Sequence, residues 1–301
     1  MTIVEKIVYH GISGFMSLLG RLSPSTGSAF GNMLGSLWFA FDKKHRKLCI
    51  DNLTKAFAPE KSSREIRILA RNVFNNTATM VFEHARFHRA GPDNFPRFVK
   101  FYGIDNLKNA HGKGRGVICF SGHLGNWELA CSTPFITGLP FAVVYKPIEF
   151  LPFDRYITDK RESTGCTTFP MHNALEGIRM SLGRGELVGL IIDQNARKRH
   201  QSIFVDFMGR KASAGTGPAK LALSTKAPVV PMFIFRENGG FKLEILPEIP
   251  LIRTGDEESD IKANTQIFHS MIEKYVRKYP DQWFWIHNRW RTRPLEEKNK
   301  L

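Results

Sequence analysis

Five short apolar segments, separated by stretches in which apolar residues recur at helical spacing, constrain the fold of this chain most strongly. The segments are VICF from residue 117, FAVVY from 141, LVGLIID from 187, VVPMFIF from 229 and FKLEIL from 241. Apolar runs of this kind are typical of strands buried on both faces, and helical stretches between them are typical of crossover connections. The sequence therefore predicts an α/β fold whose central, largely parallel sheet is flanked by helices on both faces.

The first 42 residues carry a different pattern. Apolar residues recur there at helical spacing, with polar residues between them: Val4, Ile7, Val8, Ile12, Phe15, Leu18 and Leu19. This pattern is amphipathic, whereas a spanning helix needs about 20 largely apolar residues. A second apolar stretch, GNMLGSLWFAF, precedes the basic cluster KKHRK at 43–47. We therefore predict membrane-attachment helices in residues 1–42 and a catalytic domain in residues 43–301, with an amphipathic helix packed on the domain as the alternative.

The net charge restricts the class of partner, and the cysteines restrict the cellular compartment. The 301 residues carry a formal net charge of +15, which indicates a polyanionic partner: nucleic acid, an anionic membrane surface or a phosphorylated substrate. Charge alone does not choose among them. The four cysteines form no CxxC pair, and this favours a reduced chain that faces the cytosol.

A histidine and a glutamate follow the first apolar segment, in SGHLGNWELA at 121–130. Within one ideal helix, His123 and Glu128 would lie about 140° apart, so they meet only if His123 lies in the turn before the helix. Glu128 would then accept a hydrogen bond from one ring nitrogen and leave the other as a general base. Backbone N–H groups near Gly125 and Asn126 would stabilise an oxyanion. Read alone, the spacing is a weak signal, and a structural role for the pair stays open.

The chain lacks the sequence motifs of several other classes of enzyme. The chain has no GxxxxGK[ST] phosphate loop, HExxH zinc motif or GxSxG elbow, and HGKGRG at 111–116 precedes a strand rather than following one. A non-enzymatic alternative is a basic protein that binds nucleic acid or membrane, because aromatic residues alternate with cations in WFWIHNRWRTRP.

Several motifs, in order along nearly the whole chain, resemble those of the bacterial lipid A biosynthesis acyltransferase family, a branch of the lysophospholipid acyltransferase superfamily. GHLGNWE is similar to the family's GH-x-GNWE, which contains a His-x4-Asp/Glu dyad. The other similar stretches are DNLTKAF with its Asn-Leu pair, the Asp-Gln pair at 193–194, FMGRKASAGTGPAKLALSTKAPVVP and YPDQWFWIHNRW.

The resemblance implies the activity and the substrates. It implies transfer of a fatty acyl group from acyl carrier protein to a hydroxyl of an anionic glycolipid, the Kdo-bearing lipid A precursor. A glycerolipid acyltransferase-like fold at the cytoplasmic side of the inner membrane is expected, without metal, redox cofactor or nucleic acid. The alternative within the superfamily is a glycerophospholipid or other glycolipid acyltransferase that uses acyl-CoA or acyl carrier protein.

The resemblance also extends the candidate site. His123 and Glu128 are the implied catalytic dyad. Substrate-binding roles fall on the following residues: Gly125, Asn126, Lys146, Arg161, Asp193, Gln194, Arg236 and Arg289. Lys146 stands where the family has an arginine, so it offers a point charge instead of a bidentate fork.

Overall fold

The computed structural model of the chain describes residues 1–58, 60–172, 174–197 and 201–298. Its main sheet has seven strands in the order β1-β9-β8-β2-β5-β3-β4, and a separate hairpin pairs β6 with β7. The strands are β1 Val99–Tyr102, β2 Val117–Ser121, β3 Phe141–Tyr145, β4 Cys166–Pro170, β5 Leu187–Ile191, β6 Ser202–Phe207, β7 Arg210–Gly215, β8 Val229–Glu237 and β9 Gly240–Ile245.

The predicted α/β fold is confirmed. Strands β8, β2, β5, β3 and β4 run parallel, while β9 pairs antiparallel with β8 and parallel with β1. The sheet is therefore mixed at one edge. This follows from the short Asn238-Gly239 connection between β8 and β9, since a tight turn can only join antiparallel neighbours.

Helices cover both faces of the sheet. One face packs against α3, α4, α8, α9 and α10, and the other packs against α5 and a 3-10 helix at Trp127–Ser132. The helices are α1 Ile3–Leu19, α2 Pro24–Phe41, α3 Lys43–Phe57, α4 Ser63–Ala90, α5 Ile104–His111, α6 Thr133–Thr137, α7 Leu151–Glu162, α8 Ala174–Gly183, α9 Gly217–Thr225, α10 Glu257–Lys278 and α11 Leu295–Lys298. Further 3-10 helices are Pro92–Arg97 and Pro280–Gln282.

Helices α1 and α2 pack against the domain. Met16 of α1 is buried with Ala85 of α4, and α2 lies along α4 through a ridge of glycines. A Cβ on Gly31 or Gly35 would overlap α4, so only glycine allows this close approach. In the described part of the chain, no helix has both the length and the apolar character that crossing a bilayer requires. A spanning N-terminal anchor is therefore not supported.

These two helices nevertheless leave apolar side chains in solvent. The exposed residues are Ile3, Val4, Ile7, Phe15 and Leu18 on α1, and Phe30, Met33, Leu34, Leu37 and Phe41 on α2. We call this set the N-terminal apolar surface. Large contiguous exposed apolar patches are uncommon on soluble monomers and indicate an interaction surface.

Candidate functional site

Two neighbouring parallel strands bring His123 and Asp193 together. Ser121, the last residue of β2, is in register with Ile191, the last residue of β5. His123 and Asp193 each lie two residues further on, at the carboxyl edge of the sheet. This edge is where open α/β sheets place their binding sites.

Asp193 is the carboxylate that contacts the histidine. Its Oδ1 lies 2.7 Å from His123 Nδ1, and its Oδ2 accepts hydrogen bonds from the His123 main-chain N–H at 2.8 Å and from Trp283 Nε1 at 2.5 Å. The Asp193 side chain is only 1% exposed. Burial by itself would raise the pKa of Asp193, but the charge and hydrogen bonds of His123 outweigh burial and hold this pKa well below its usual range. Asp193 is therefore ionised at neutral pH.

An ionised Asp193 determines the histidine tautomer. A carboxylate can only accept hydrogen bonds, so His123 Nδ1 carries the proton in this contact. The Nε2 lone pair then faces the open side of the site, 3.3 Å from Gln194 Nε2. Trp127 packs edge-on against the imidazole, with ring centroids 4.9 Å apart, and Phe284 lies 6.3 Å away. The arrangement holds an oriented imidazole that can act as a general base.

The predicted hydrogen bond between His123 and Glu128 is wrong. Both carboxylate oxygens of Glu128 are bound by Arg161 at the end of α7, with Nε at 2.9 Å and Nη2 at 2.8 Å. A guanidinium fork matches a carboxylate in this bidentate way, and Asp193 occupies the position at His123. Burial alone would raise the pKa of Glu128. The charge and hydrogen bonds of Arg161 lower this pKa by more than burial raises it, so it lies below its usual value.

The turn that follows His123 is structural. The Gly125 N–H donates to Gln282 O at 2.9 Å, so this group is not available to an oxyanion, contrary to the prediction. Gly125 has φ of +60°, and a Cβ there would overlap the backbone of β8, which explains the glycine. The Asn126 side chain is fully buried and donates to Glu83 Oε2 at 3.0 Å. The Asn126 side chain is therefore held by α4, while the role predicted for its main-chain N–H stays a prediction.

Two of the predicted substrate-binding arginines are also structural. Arg236 forms a bidentate pair with Glu83, both contacts at 2.6 Å, and joins β8 to α4. Arg289 is fully buried and donates Nη1 to Ser213 O at 2.6 Å; burial lowers its pKa to about 10. The Arg289 guanidinium does not face solvent, so contact with an acceptor phosphate is not available to it, and the Arg236 guanidinium is bound by Glu83.

Other cations keep an exposed position. Lys146, directly after β3, and Arg197, in the segment after Gln194, are exposed. Lys198, Arg199 and His200, predicted to form a solvated or lipid-facing run with Arg197, lie outside the described residues.

A largely apolar cavity adjoins the histidine. It lies between the carboxyl halves of the parallel strands and the 3-10 helix at Trp127–Ser132, and Trp127, Glu128 and Arg161 form part of its wall. The apolar and small residues that line it include Cys119, Phe141, Val143, Gly189, Leu190 and Met232. Trp127 contacts both the cavity and the His123 ring, so one side chain links the cavity to the imidazole.

The carboxyl-terminal segment supplies residues that the sequence interpretation missed. Phe284 N–H donates to His123 O at 3.0 Å, and Leu124 forms an isolated bridge with Trp283. Trp283, Trp285 and Trp290 are buried, so they pack in the core and form no membrane-interface belt. Nothing in the local sequence of Trp283 indicated Asp193 as its partner.

The described part of the chain contains neither a disulfide nor a cluster of metal ligands. All four cysteines are buried free thiols. Within residues 1–58, 60–172, 174–197 and 201–298, no three or more His, Cys, Asp or Glu residues converge as metal ligands would.

The Glu128–Arg161 pair should stabilise the wall of the cavity. Both side chains are below one fifth exposed, so Glu128→Ala leaves a buried guanidinium uncompensated and should destabilise the protein by about 3 to 5 kcal/mol. Glu128→Met combined with Arg161→Met should recover most of this loss, because it removes both charges. Chemical unfolding of the two variants measures the difference. Equal destabilisation of both would contradict the assigned pairing.

The sequence was also compared with known families and proteins. The family model described as "Bacterial lipid A biosynthesis acyltransferase" matches residues 3–292. The chain is similar to the lipid A biosynthesis palmitoleoyltransferase of Escherichia coli, with 24% identity over 89% of this chain and 86% of the relative. It is also similar to the lipid A biosynthesis lauroyltransferase of Escherichia coli, with 25% identity over 87% of this chain and 84% of the relative. The phosphatidylinositol mannoside acyltransferase of Mycolicibacterium smegmatis is 26% identical over 62% of this chain and 60% of its own length.

Proposed function

This chain belongs to the bacterial lipid A biosynthesis acyltransferase family, and we propose that it transfers a fatty acyl group from acyl carrier protein to a hydroxyl of the Kdo-bearing lipid A precursor. The observation that carries the proposal is the imidazole of His123, oriented by Asp193 at 2.7 Å, beside an apolar cavity. An acyl transferase needs such a base and an apolar binding site for the chain.

His123 performs the proton transfer in this mechanism. Its Nε2 takes the proton of the acceptor hydroxyl while the hydroxyl oxygen attacks the thioester carbon. The tetrahedral intermediate then collapses, the carbon–sulfur bond breaks, and His123 returns the proton to the departing thiolate. A thiol of pKa about 8.5 is a good leaving group, so the step proceeds without electrophilic assistance to the sulfur. Asp193 holds the tautomer and stabilises the imidazolium between the two transfers.

Glu128 has an indirect role in this mechanism. Its carboxylate fixes Arg161 across the cavity wall, while Asp193 serves the histidine. The acyl chain then occupies the cavity lined by Phe141, Val143 and Met232, with its thioester end near His123.

The acceptor is an anionic glycolipid in this proposal. Exposed cations near the carboxyl edge of the sheet, Lys146 and Arg197 among them, are available to its phosphates and sugar carboxylates. The net charge of +15 adds long-range attraction to an anionic acceptor and to an anionic membrane surface.

The N-terminal apolar surface supports a proposal for how the enzyme attaches to the membrane. We propose that α1 and α2 lie on the cytoplasmic side of the inner membrane and insert the side chains of this surface into the headgroup boundary. Ile7→Gln, Phe15→Gln and Leu18→Gln combined should weaken binding to anionic phospholipid vesicles by about tenfold or more. Co-sedimentation measures the loss.

Leu175→Gln with Met180→Gln is the matched control, because these exposed apolar residues lie on α8. Unchanged sedimentation of the triple variant, or an equal loss in the control, would rule out the N-terminal apolar surface as the attachment site.

One assay tests the proposed reaction. Purified protein is incubated with acylated carrier protein or acyl-CoA as donor and with lipid A precursor or lysophospholipid as acceptor, and products are identified by mass spectrometry. The expected product is the lipid A precursor with one added acyl chain, formed from acylated carrier protein. Product from lysophospholipid alone would contradict the proposed acceptor.

A second acceptor class is supported by one comparison. The similarity to a phosphatidylinositol mannoside acyltransferase over 62% of this chain supports a different phosphorylated glycolipid as acceptor. Adding a mannosylated phosphatidylinositol to the same assay separates the two. Family membership makes the chain an acyltransferase, so the non-enzymatic alternative is not retained.

A further inference from the structure

The reaction requires a hydrogen-bond donor that has not yet been assigned. Attack on the thioester places negative charge on the carbonyl oxygen, and preorganised N–H groups usually stabilise it. The Gly125 N–H is committed to Gln282 O at 2.9 Å and cannot serve. Another donor must lie close to His123 Nε2, because the attacking hydroxyl sits there.

Gln194 offers such a donor on a fixed segment of backbone. The next residue, Asn195, donates its main-chain N–H to His287 Nε2 at 3.0 Å and accepts from the Thr292 N–H at 3.0 Å. Burial lowers the pKa of His287 to about 4, so its ring is neutral and can accept. Asn195, whose main-chain N–H and side-chain Oδ1 make these two contacts, therefore holds the backbone on one side of Gln194, and the buried Asp193 holds it on the other, while the Gln194 side chain is exposed.

The direction of the contact between Gln194 and His123 follows from the tautomer. His123 Nδ1 carries the proton toward Asp193, so Nε2 offers a lone pair. The atom 3.3 Å from that lone pair is the amide nitrogen of Gln194, which must be the donor. An acceptor hydroxyl has to take this place before the base can act. The displaced amide then keeps its two N–H groups within a hydrogen bond's length of the reacting centre.

We infer that Gln194 is a further catalytic residue, whose amide moves from His123 Nε2 to the thioester carbonyl oxygen and stabilises the oxyanion by hydrogen bonding. The inference rests on the proposed acyl transfer. The hydroxyl proton passes to Nε2, the new carbon–oxygen bond forms, and the carbonyl electron pair moves to oxygen. That pair returns as the carbon–sulfur bond breaks, and the proton goes to sulfur. Gln194 gives and receives no proton.

Two substitutions at Gln194 test this role. Gln194→Ala removes the donor and should lower kcat by about a hundred- to a thousandfold with little change in KM, because the contact forms in the transition state. Gln194→Glu keeps the shape, removes both N–H groups and adds a charge that repels the oxyanion, so its loss should be at least as large. Gln201→Ala and Gln201→Glu make the same chemical changes at an exposed glutamine outside the site and should leave kcat unchanged.

The outcomes separate the inference from the proposed function. A wild-type protein that transfers no acyl group under any donor and acceptor pair would overturn the proposed function and this inference with it. An active wild type with an equally active Gln194→Ala variant would overturn the inference alone. A faster Gln194→Ala variant would also overturn it, since the amide would then only obstruct the base. Thermal unfolding of each variant should match wild type, because the Gln194 side chain is exposed.

Discussion

His123→Ala is expected to lower the rate of acyl transfer by about a hundred- to ten-thousandfold. The substitution removes the imidazole whose Nδ1 lies 2.7 Å from Asp193 and whose Nε2 faces the open side of the site. The variant should fold with some loss of stability, because Asp193 Oδ1 loses its ring partner while the main-chain N–H of residue 123 and Trp283 Nε1 still donate to Oδ2. Steady-state turnover with acylated carrier protein measures the effect.

His172→Ala provides the matched control for that variant. His172 is exposed and lies outside the site, so its removal should leave turnover unchanged. Near wild-type turnover of His123→Ala would eliminate the general-base role. Equal losses in both variants would indicate a general effect of histidine removal on the protein.

Asp193→Asn should reduce turnover by about a thousand- to ten-thousandfold. An amide at this position can donate to His123 Nδ1, which would shift the ring proton to Nε2 and remove the lone pair that acts as base. The equivalent change in serine proteases costs about 10⁴ in kcat for this reason. Asp193 also accepts from the His123 N–H and from Trp283 Nε1, so the variant should be less stable.

Nuclear magnetic resonance of the His123 ring nitrogens distinguishes the two effects of Asp193→Asn. A proton found on Nε2 in the folded variant supports the tautomer mechanism. Asp206→Asn is the control, since Asp206 is an exposed carboxylate paired with Lys211. If Asp193→Asn kept its activity while Glu128→Gln lost it, Glu128 would be the functional partner of the histidine.

The architecture was predictable because its signal is local. Apolar segments separated by helical spacing predict buried, largely parallel strands, and the structure contains them as β2, β3, β5 and β8, while the fifth segment is β9, which runs antiparallel to β8. The position of His123 beyond β2 and of Asp193 beyond β5 followed from the same pattern. The pairing of these two residues did not, because it depends on β2 and β5 being neighbours, and strand order is not a local property.

The roles of the charged residues were the least predictable part. Arg236 and Arg289 carry the same side chain as the exposed Arg197, and nothing in their local sequence distinguishes a buried or paired cation from an exposed one. In the folded chain, Glu83 binds Arg236 and Ser213 O accepts from Arg289, across 153 and 76 residues of sequence.

By itself, the sequence determined the five strands β2, β3, β5, β8 and β9, helices between them and the edge of the sheet at which the histidine emerges, because hydrophobic periodicity is set by neighbouring residues. Only the tertiary structure decided that Asp193 orients His123, that Glu128 binds Arg161 and that Gly125 has no free N–H. Each of these contacts joins elements distant in the chain, and a charged or polar group takes the partner that folding places within hydrogen-bond distance.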